Sequence, residues 1–328
     1  MRVTKYSVEP KISVASAAQL WGISMQGVHK QLKSKGLSAR KHGSKAYLTF
    51  TEARSTWNFP FKKMIVASQI VKGGTGKTSS IVNIGSFLNS IGARVLKIDL
   101  DPQGNLTDAH GVDAENHGVL IDIIKEKATL DQSLVKICPG MDLIPSRIEN
   151  VVLDNEIVNQ RLRLDKVFEN IFSPIVDNYD YILIDCPPTM GQSVAAAALW
   201  SNLILSPLNP DKFSAKGLKI LKNEIERLNE SYEKNIDYRV FLNKYSPKTI
   251  LSGKAAIALL SDKDLNGRLL KNIINSSQEV PNSLESNSTI FSSLNKSSIR
   301  EDFRNLAAEL FNIKFQRNFE KIKEFENA

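Results

Sequence analysis

Apolar residues fall along this chain in two rhythms. Apolar-rich runs at residues 64–71, 94–101, 181–185, 203–208 and 238–242 have the length and Val/Ile/Leu content of strands in a buried sheet, and 272–274 reads as a further short one. Between them apolar residues recur at helical spacing. Ile81, Ile84, Gly85 and Leu88 do so within 79–90, and a longer helical stretch is expected over 148–172. Strands alternating with helices predict an α/β fold, a mostly parallel sheet with helices on both faces.

Residues 1–57 follow another plan. Ser13 caps a predicted helix over 13–20, Gly22 breaks it, and Ser24 caps a second over 25–33. Ala18, Gly22 and Val28 stand where a helix–turn–helix needs a small residue, a turn residue and a core anchor, and Leu32 continues the core face. A basic hairpin feeding a strand at 47–50 follows, then a helix over 51–57. Residues 58–63 read as a linker, 64–315 as the large domain and 316–328 as a helical tail with an apolar stripe of Phe319, Ile322 and Phe325 continuing from Phe315.

Composition sharpens this division. The 328 residues have room for two domains, and 42% hydrophobic with 24% charged residues describes a globular chain. No apolar run reaches membrane-spanning length, residues 1–5 lack a signal core, and two cysteines with four scattered histidines give neither disulfide framework nor metal spacing. Cytoplasm is the expected compartment. The net charge of +8 is uneven: residues 1–63 carry twelve Lys/Arg against two acids, while the rest carry thirty-one against thirty-three. Such asymmetry points to nucleic acid, with Gln26, His29, Lys30 and Lys33 facing outward on the second helix and Arg40, Lys41 and Lys45 on the hairpin. A helical hairpin used only for packing is the alternative. In the large domain Lys216, Lys219, Lys244, Lys248, Lys254 and Arg300 are weaker DNA candidates.

The chemistry centres on residues 72–78, Lys-Gly-Gly-Thr-Gly-Lys-Thr, between a predicted strand and a predicted helix. Gly73, Gly74 and Gly76 let backbone N–H groups wrap a phosphate at a helix N-terminus, Lys77 reaches the β- and γ-phosphates, and the Thr78 hydroxyl suits Mg²⁺. Thr75 and Ser79 complete this P-loop. Lys72 is an additional lysine, and Val71 stands where the usual loop begins with glycine. Asp99 and Asp101 end one predicted strand and Asp185 another; a carboxylate there can hold Mg²⁺ or orient an attacking water.

The loop at 72–78, the Asp99-x-Asp101-Pro-Gln-Gly-Asn run and the Asp185-Cys-Pro-Pro run, in that order and spacing, resemble the ParA/MinD ATPases over about residues 64–315. The resemblance implies ATP and Mg²⁺ as ligands and an ATP-dependent homodimer in which Lys72 crosses to the partner's γ-phosphate. Lys77 and Thr78 then act in cis, Asp101 positions the water with Asp99 as the alternative, and Asp185 supports Mg²⁺. Pro210 and Asn243 fall at positions similar to the family's base-contacting ones. The implied function is DNA partition: non-specific DNA binding by the dimer on the nucleoid, released when a ParB-like partner stimulates hydrolysis. Residues 1–57 resemble the winged helix–turn–helix of MerR-like and plasmid repressors, which implies operator binding. Two rivals are an ATP-dependent transcription regulator and a MinD-like positioning ATPase. Residues 311–328 carry four basic against three acidic residues, so packing of the tail is favoured over membrane binding.

Overall fold

The computed structural model describes residues 8–57 and 59–315. The N-terminal part runs β1 (Ile12–Ser13), α1 (Val14–Trp21), α2 (Met25–Ser34), β2 (Arg40–His42), β3 (Lys45–Leu48) and α3 (Phe50–Thr56), with an antiparallel sheet in the order β1-β3-β2. Local chemistry sets these bounds. Ser13 Oγ accepts from Ser16 N (3.0 Å), Gly22 ends α1 at φ +66°, and Ser24 Oγ accepts from Gly27 N (3.0 Å). Val28 and Leu32 are fully buried beneath α1, and Trp21 stacks on Trp57 with centroids 5.1 Å apart. The expected strand at 47–50 stops at Leu48, because Thr49 N and Oγ1 both donate to Glu52 Oε2 (2.9 and 2.7 Å) and start a helix instead.

The large domain is built on a seven-stranded sheet. Its strands are β4 (Met64–Ser68), β5 (Val95–Asp99), β6 (Val135–Cys138), β7 (Met141–Ile144), β8 (Tyr181–Asp185), β9 (Leu203–Leu208) and β10 (Asp237–Leu242), in the order β10-β9-β4-β8-β5-β7-β6. All pairs are parallel except β6–β7. Alternate side chains sort to the two faces. Val66, Val95 and Leu183 pack on α4 (Lys77–Ser90) and the helix Ser298–Leu310, whereas Ala67, Ile98 and Ile184 pack on the helices Leu120–Ile124, Val167–Phe172 and Gln192–Trp200. Among the described residues no helix is long and apolar enough to cross a membrane.

Two further expectations are corrected. Residues 148–172 form a 3₁₀ turn and two short helices, interrupted where Arg161 takes φ +54°, and not one long helix. Residues 272–274 make no strand, only bridges around them at Leu269 and Asn275. The antiparallel edge hairpin β6–β7 has no counterpart among the expected elements. The tail residues Phe319, Ile322 and Phe325 lie outside the described residues.

The two parts share one core: Val14, Leu20, Trp21 and Leu48 belong to the same buried cluster as Ile84, Phe87 and Leu143. Gly92, at φ +96°, lets the backbone of α3 approach so closely that a Cβ there would sit 2.8 Å from Arg54 N. Arg54 bonds Gly92 O (3.2 Å) and Asp180 (2.8 Å). Phe59 and Phe61, in the connection, pack against this same core, Phe61 edge-on to Tyr181.

Candidate nucleotide site

Parallel strands leave their carboxyl ends and the following loops along one edge, where β4 delivers the glycine loop, β5 delivers Asp99 and Asp101, and β8 delivers Asp185. Gly74 (φ +71°) and Gly76 (φ +92°) turn the loop into α4 through conformations that side chains resist. A cleft of about 790 Å³ opens there, lined by Gly73 to Ser79, Asp101, Gln103 and Lys244. That volume suits a nucleotide-sized ligand.

Lys77 is buried and donates to Lys72 O (3.1 Å); burial pulls its ammonium below the usual lysine range. Thr78 Oγ1 donates to Asp185 Oδ2 (2.6 Å). Burial pushes Asp185 up to about 7, outweighing that bond and Lys77. Its other oxygen, Oδ1, is buried with no hydrogen-bond partner among the described residues, as is Thr75 Oγ1. A buried carboxylate oxygen left without a donor, beside a threonine hydroxyl and a lysine, is the donor set that a hard divalent cation completes. The residues therefore fit Mg²⁺ with a phosphate ligand.

The two β5 carboxylates separate cleanly. Asp99 accepts from Thr107 N (2.9 Å), Thr107 Oγ1 (2.7 Å) and Asp101 N (3.1 Å), so its oxygens are already committed. It is fully buried, and burial together with Asp185 raises its pKa well above the ordinary value. Asp101 lines the cleft, and its carboxylate accepts only Gln103 N (3.0 Å) among the described residues.

Other expected site residues lie outside the cleft wall. Asn243 is buried under the loop, donating to Thr75 O (2.6 Å), and a Cβ on Gly76 would collide with it at 2.3 Å. Pro210 does not line the cleft. Lys72 is not part of its lining; its Nζ donates to Asp211 Oδ2 (2.5 Å) and Ser214 Oγ (3.4 Å). Lys244 lines the cleft instead and donates to Gly74 O (2.8 Å). The opposite wall, Pro281, Leu284, Glu285 and Asn287, comes from a polar segment without motif or periodicity, and no sequence signal marks it.

Below the cleft Lys97 is enclosed in the sheet. Its Nζ donates to Val82 O (3.2 Å) and lies 2.9 Å from His110 Nε2; Gly85 makes the room, since a Cβ there would meet Lys97 Cε at 2.5 Å. Burial pushes Lys97 down to about 7.

On the N-terminal part Gln26, His29, Lys30, Lys33 and Lys41 are exposed. Arg40 is also exposed but pairs with Glu52 (2.8 Å) and Glu9 (3.4 Å). Lys45 donates to Leu294 O (3.2 Å). Arg300, among the weaker DNA candidates, turns inward onto Lys11 O (2.5 Å).

Comparison with known proteins agrees with the motifs. Residues 62–238 match a family model described as an AAA domain. An uncharacterized Mycobacterium tuberculosis protein is 31% identical over 200 residues, 59% of this chain and 61% of its own. The sporulation initiation inhibitor protein Soj of Bacillus subtilis is 34% identical over 166 residues, 49% of this chain and 64% of its own. The chain thus spans about three fifths of the length of these relatives. It spans 74% of the chromosome partitioning protein ParA of Caulobacter vibrioides, 32% identical over 60% of this chain. Among solved structures, a putative plasmid partition protein of Borrelia burgdorferi bound to AMPPNP superposes with TM-score 0.63 at 19% identity, covering 76% of this chain and 99% of that one. The ATP complex of a Cyanothece McdA variant gives 0.68 at 22%, covering 79% and 99%. With a family model over more than half its length and the Caulobacter relative covered over 74% of its own, the chain belongs to the ParA-type P-loop family of AAA domains.

Proposed function

We propose that the protein is an ATP-hydrolysing DNA partition factor. The observation that carries this reading is the division of labour between its two loop lysines: Lys77 is buried and lines the cleft, while Lys72 pairs with Asp211 and is not part of the cleft lining. A lysine held outside its own site is placed to serve a second copy, so hydrolysis would await dimerisation.

In this reading the glycine loop and Lys77 hold the triphosphate of ATP, and Thr78 with Asp185 hold Mg²⁺. The cation, when bound, neutralises charge on the phosphate oxygens. Asp101 orients the attacking water and takes its proton as the oxygen joins the γ-phosphorus and the bond to the ADP oxygen breaks. Asp99, with its oxygens committed, positions the loop that carries Asp101. The ATP-bound dimer binds DNA without sequence preference on the nucleoid, and a ParB-like partner releases it by stimulating hydrolysis.

The architecture α1–Gly22–α2 with the hairpin β2–β3 supports a winged helix–turn–helix at residues 1–57, binding an operator through Gln26, His29, Lys30, Lys33 and Lys41. Because this module shares its core with the large domain, the test uses the whole chain. Affinity for an arbitrary duplex is measured with ATP, with ADP and without nucleotide across a salt series, alongside the Lys30→Glu/Lys33→Glu/Lys41→Glu variant. Tight, salt-steep binding that requires ATP and survives the triple substitution is expected. Equal binding in all nucleotide states would overturn the partition reading and favour a transcription regulator.

A further inference from the structure

The far wall of the cleft and the anchor of the N-terminal module are one piece of chain. The helix Glu279–Glu285 and Asn287 supply Pro281, Leu284, Glu285 and Asn287 to the cleft. A few residues on, the same segment reaches α4: Ile290 N donates to Asn83 Oδ1 (3.3 Å), and Phe291 packs on Phe87 with centroids 5.6 Å apart. It then closes around residue 11. Lys11 N donates to Phe291 O (2.8 Å), and Arg300 Nη2 donates to Lys11 O (2.5 Å) while its Nη1 bonds Ser293 O. Ser292 Oγ donates to Val8 O (2.9 Å), and Lys45 on β3 reaches Leu294 O (3.2 Å). The two ends of the loop are braced together, Ser297 Oγ donating to Glu279 Oε2 (2.7 Å).

We infer that residues 279–300 form a strap coupling the nucleotide cleft to the N-terminal module, so that filling the cleft changes the stability of β1, α1 and the β2–β3 hairpin. This rests on the reading of the cleft as a nucleotide site. The physical case is contiguity. A ligand seated against Pro281 and Leu284 presses on a segment that is cross-braced at its ends and has few ways to yield. Its next firm contacts are both polar groups of the Lys11 backbone, one residue before β1. Arg300 is the positioning residue of the device, because it grips the strap at Ser293 and the module at Lys11 and lies over the Phe291 ring at 5.2 Å. Coupling of this kind is reciprocal: whatever the module binds changes the affinity of the cleft by the same factor.

The test is amide hydrogen exchange of the full chain with and without Mg²⁺ and the β,γ-imido analogue of ATP, read at residues 73–79, 8–21 and 40–48. Added nucleotide is expected to protect 73–79 and to change exchange at 8–21 and 40–48 by about fivefold or more, the lower end of common coupling strengths. Arg300→Gln should keep the first effect and lose the second. Ser292→Ala, a milder change that removes the bond to Val8 O together with the contacts of the same hydroxyl to Thr289 N and Oγ1, should reduce the second effect about twofold. Protection at 73–79 with no change at 8–48 in the wild type would overturn the strap and leave the nucleotide site standing. So would a distal change that persists undiminished in both variants. No effect at 73–79 would remove the nucleotide site and the strap together.

Discussion

The cleft edge and the N-terminal module treat buried charge in opposite ways. In the module Glu52 is nearly buried, and burial alone would push it up; two bonds from Thr49 and one from Arg40 outweigh this, and its carboxyl sits below the ordinary value. Arg40 is raised in turn, chiefly by its bond to Glu52. At the cleft burial prevails, so that Asp185 rises to about 7, Lys77 falls, and polar atoms are left without protein partners among the described residues. A charge satisfied within the fold contributes stability; a charge kept short of partners is reserved for a ligand. The difference identifies the cleft as the place where the chain expects something to arrive.

The largest test of this contrast lies within β5 and its loop. Asp101→Asn should lower partner-stimulated hydrolysis by about 100-fold or more, with nucleotide affinity changed less than about threefold by calorimetry. Asp99→Asn replaces an acceptor used by three donors and should cost about 1–3 kcal/mol in urea unfolding, while Asp101→Asn leaves the midpoint nearly unchanged. Equal loss of stability in both variants would erase the distinction between them.

Lys97 extends the contrast in the sheet, as a buried amine without an acidic partner in hydrogen-bond reach among the described residues. Its folded pKa is depressed to about 7 from the ordinary 10.5, so between these limits the unfolded chain binds the proton that the folded chain has released. Its contribution is fully present above the unfolded value and is lost as pH falls toward the folded one, at up to about 1.4 kcal/mol per pH unit. Lys97→Met should therefore gain on the wild type in unfolding experiments, most at pH 7 and progressively less toward pH 10. A constant difference across that range would show that the lysine is not deprotonated on folding.

The smallest effect belongs to the module. Glu52→Gln should cost about 1 kcal/mol at neutral pH, and the deficit should shrink as pH falls through the depressed carboxylate pKa, since a lowered value gives stability present above the unfolded pKa and lost below it.

What sequence reveals here follows the range of the interaction. Ser13, Gly22 and Ser24 act within three or four residues, and the ends of α1 and α2 are legible from them. The apolar runs of β4, β5, β8, β9 and β10 are legible because strands buried on both faces have no polar phase to blur them. The β6–β7 hairpin is not, because its strands are four residues each and alternate across Lys136 and Asp142, too short a pattern to stand out. Within 148–172 apolar spacing suggests one helix, and nothing local announces the left-handed turn at Arg161. The glycine loop and the strand-end acids declare the site, but not its far wall, which depends on contacts between residues near 75 and near 285. Nor can a motif match say that Asn243 commits its amide to the loop's own backbone.

The connection at 59–63 has a geometric consequence. Phe59 and Phe61 are set into the same core that unites the two parts, so the module is not suspended on a tether and has no reach of its own. Its position is fixed in the frame of the large domain, like a tooth on a gear. If two copies of the chain meet through their large domains, their modules stand at one separation and one angular phase along any duplex that touches both. The spacing of paired sites on that duplex is then a dimension of the ATPase.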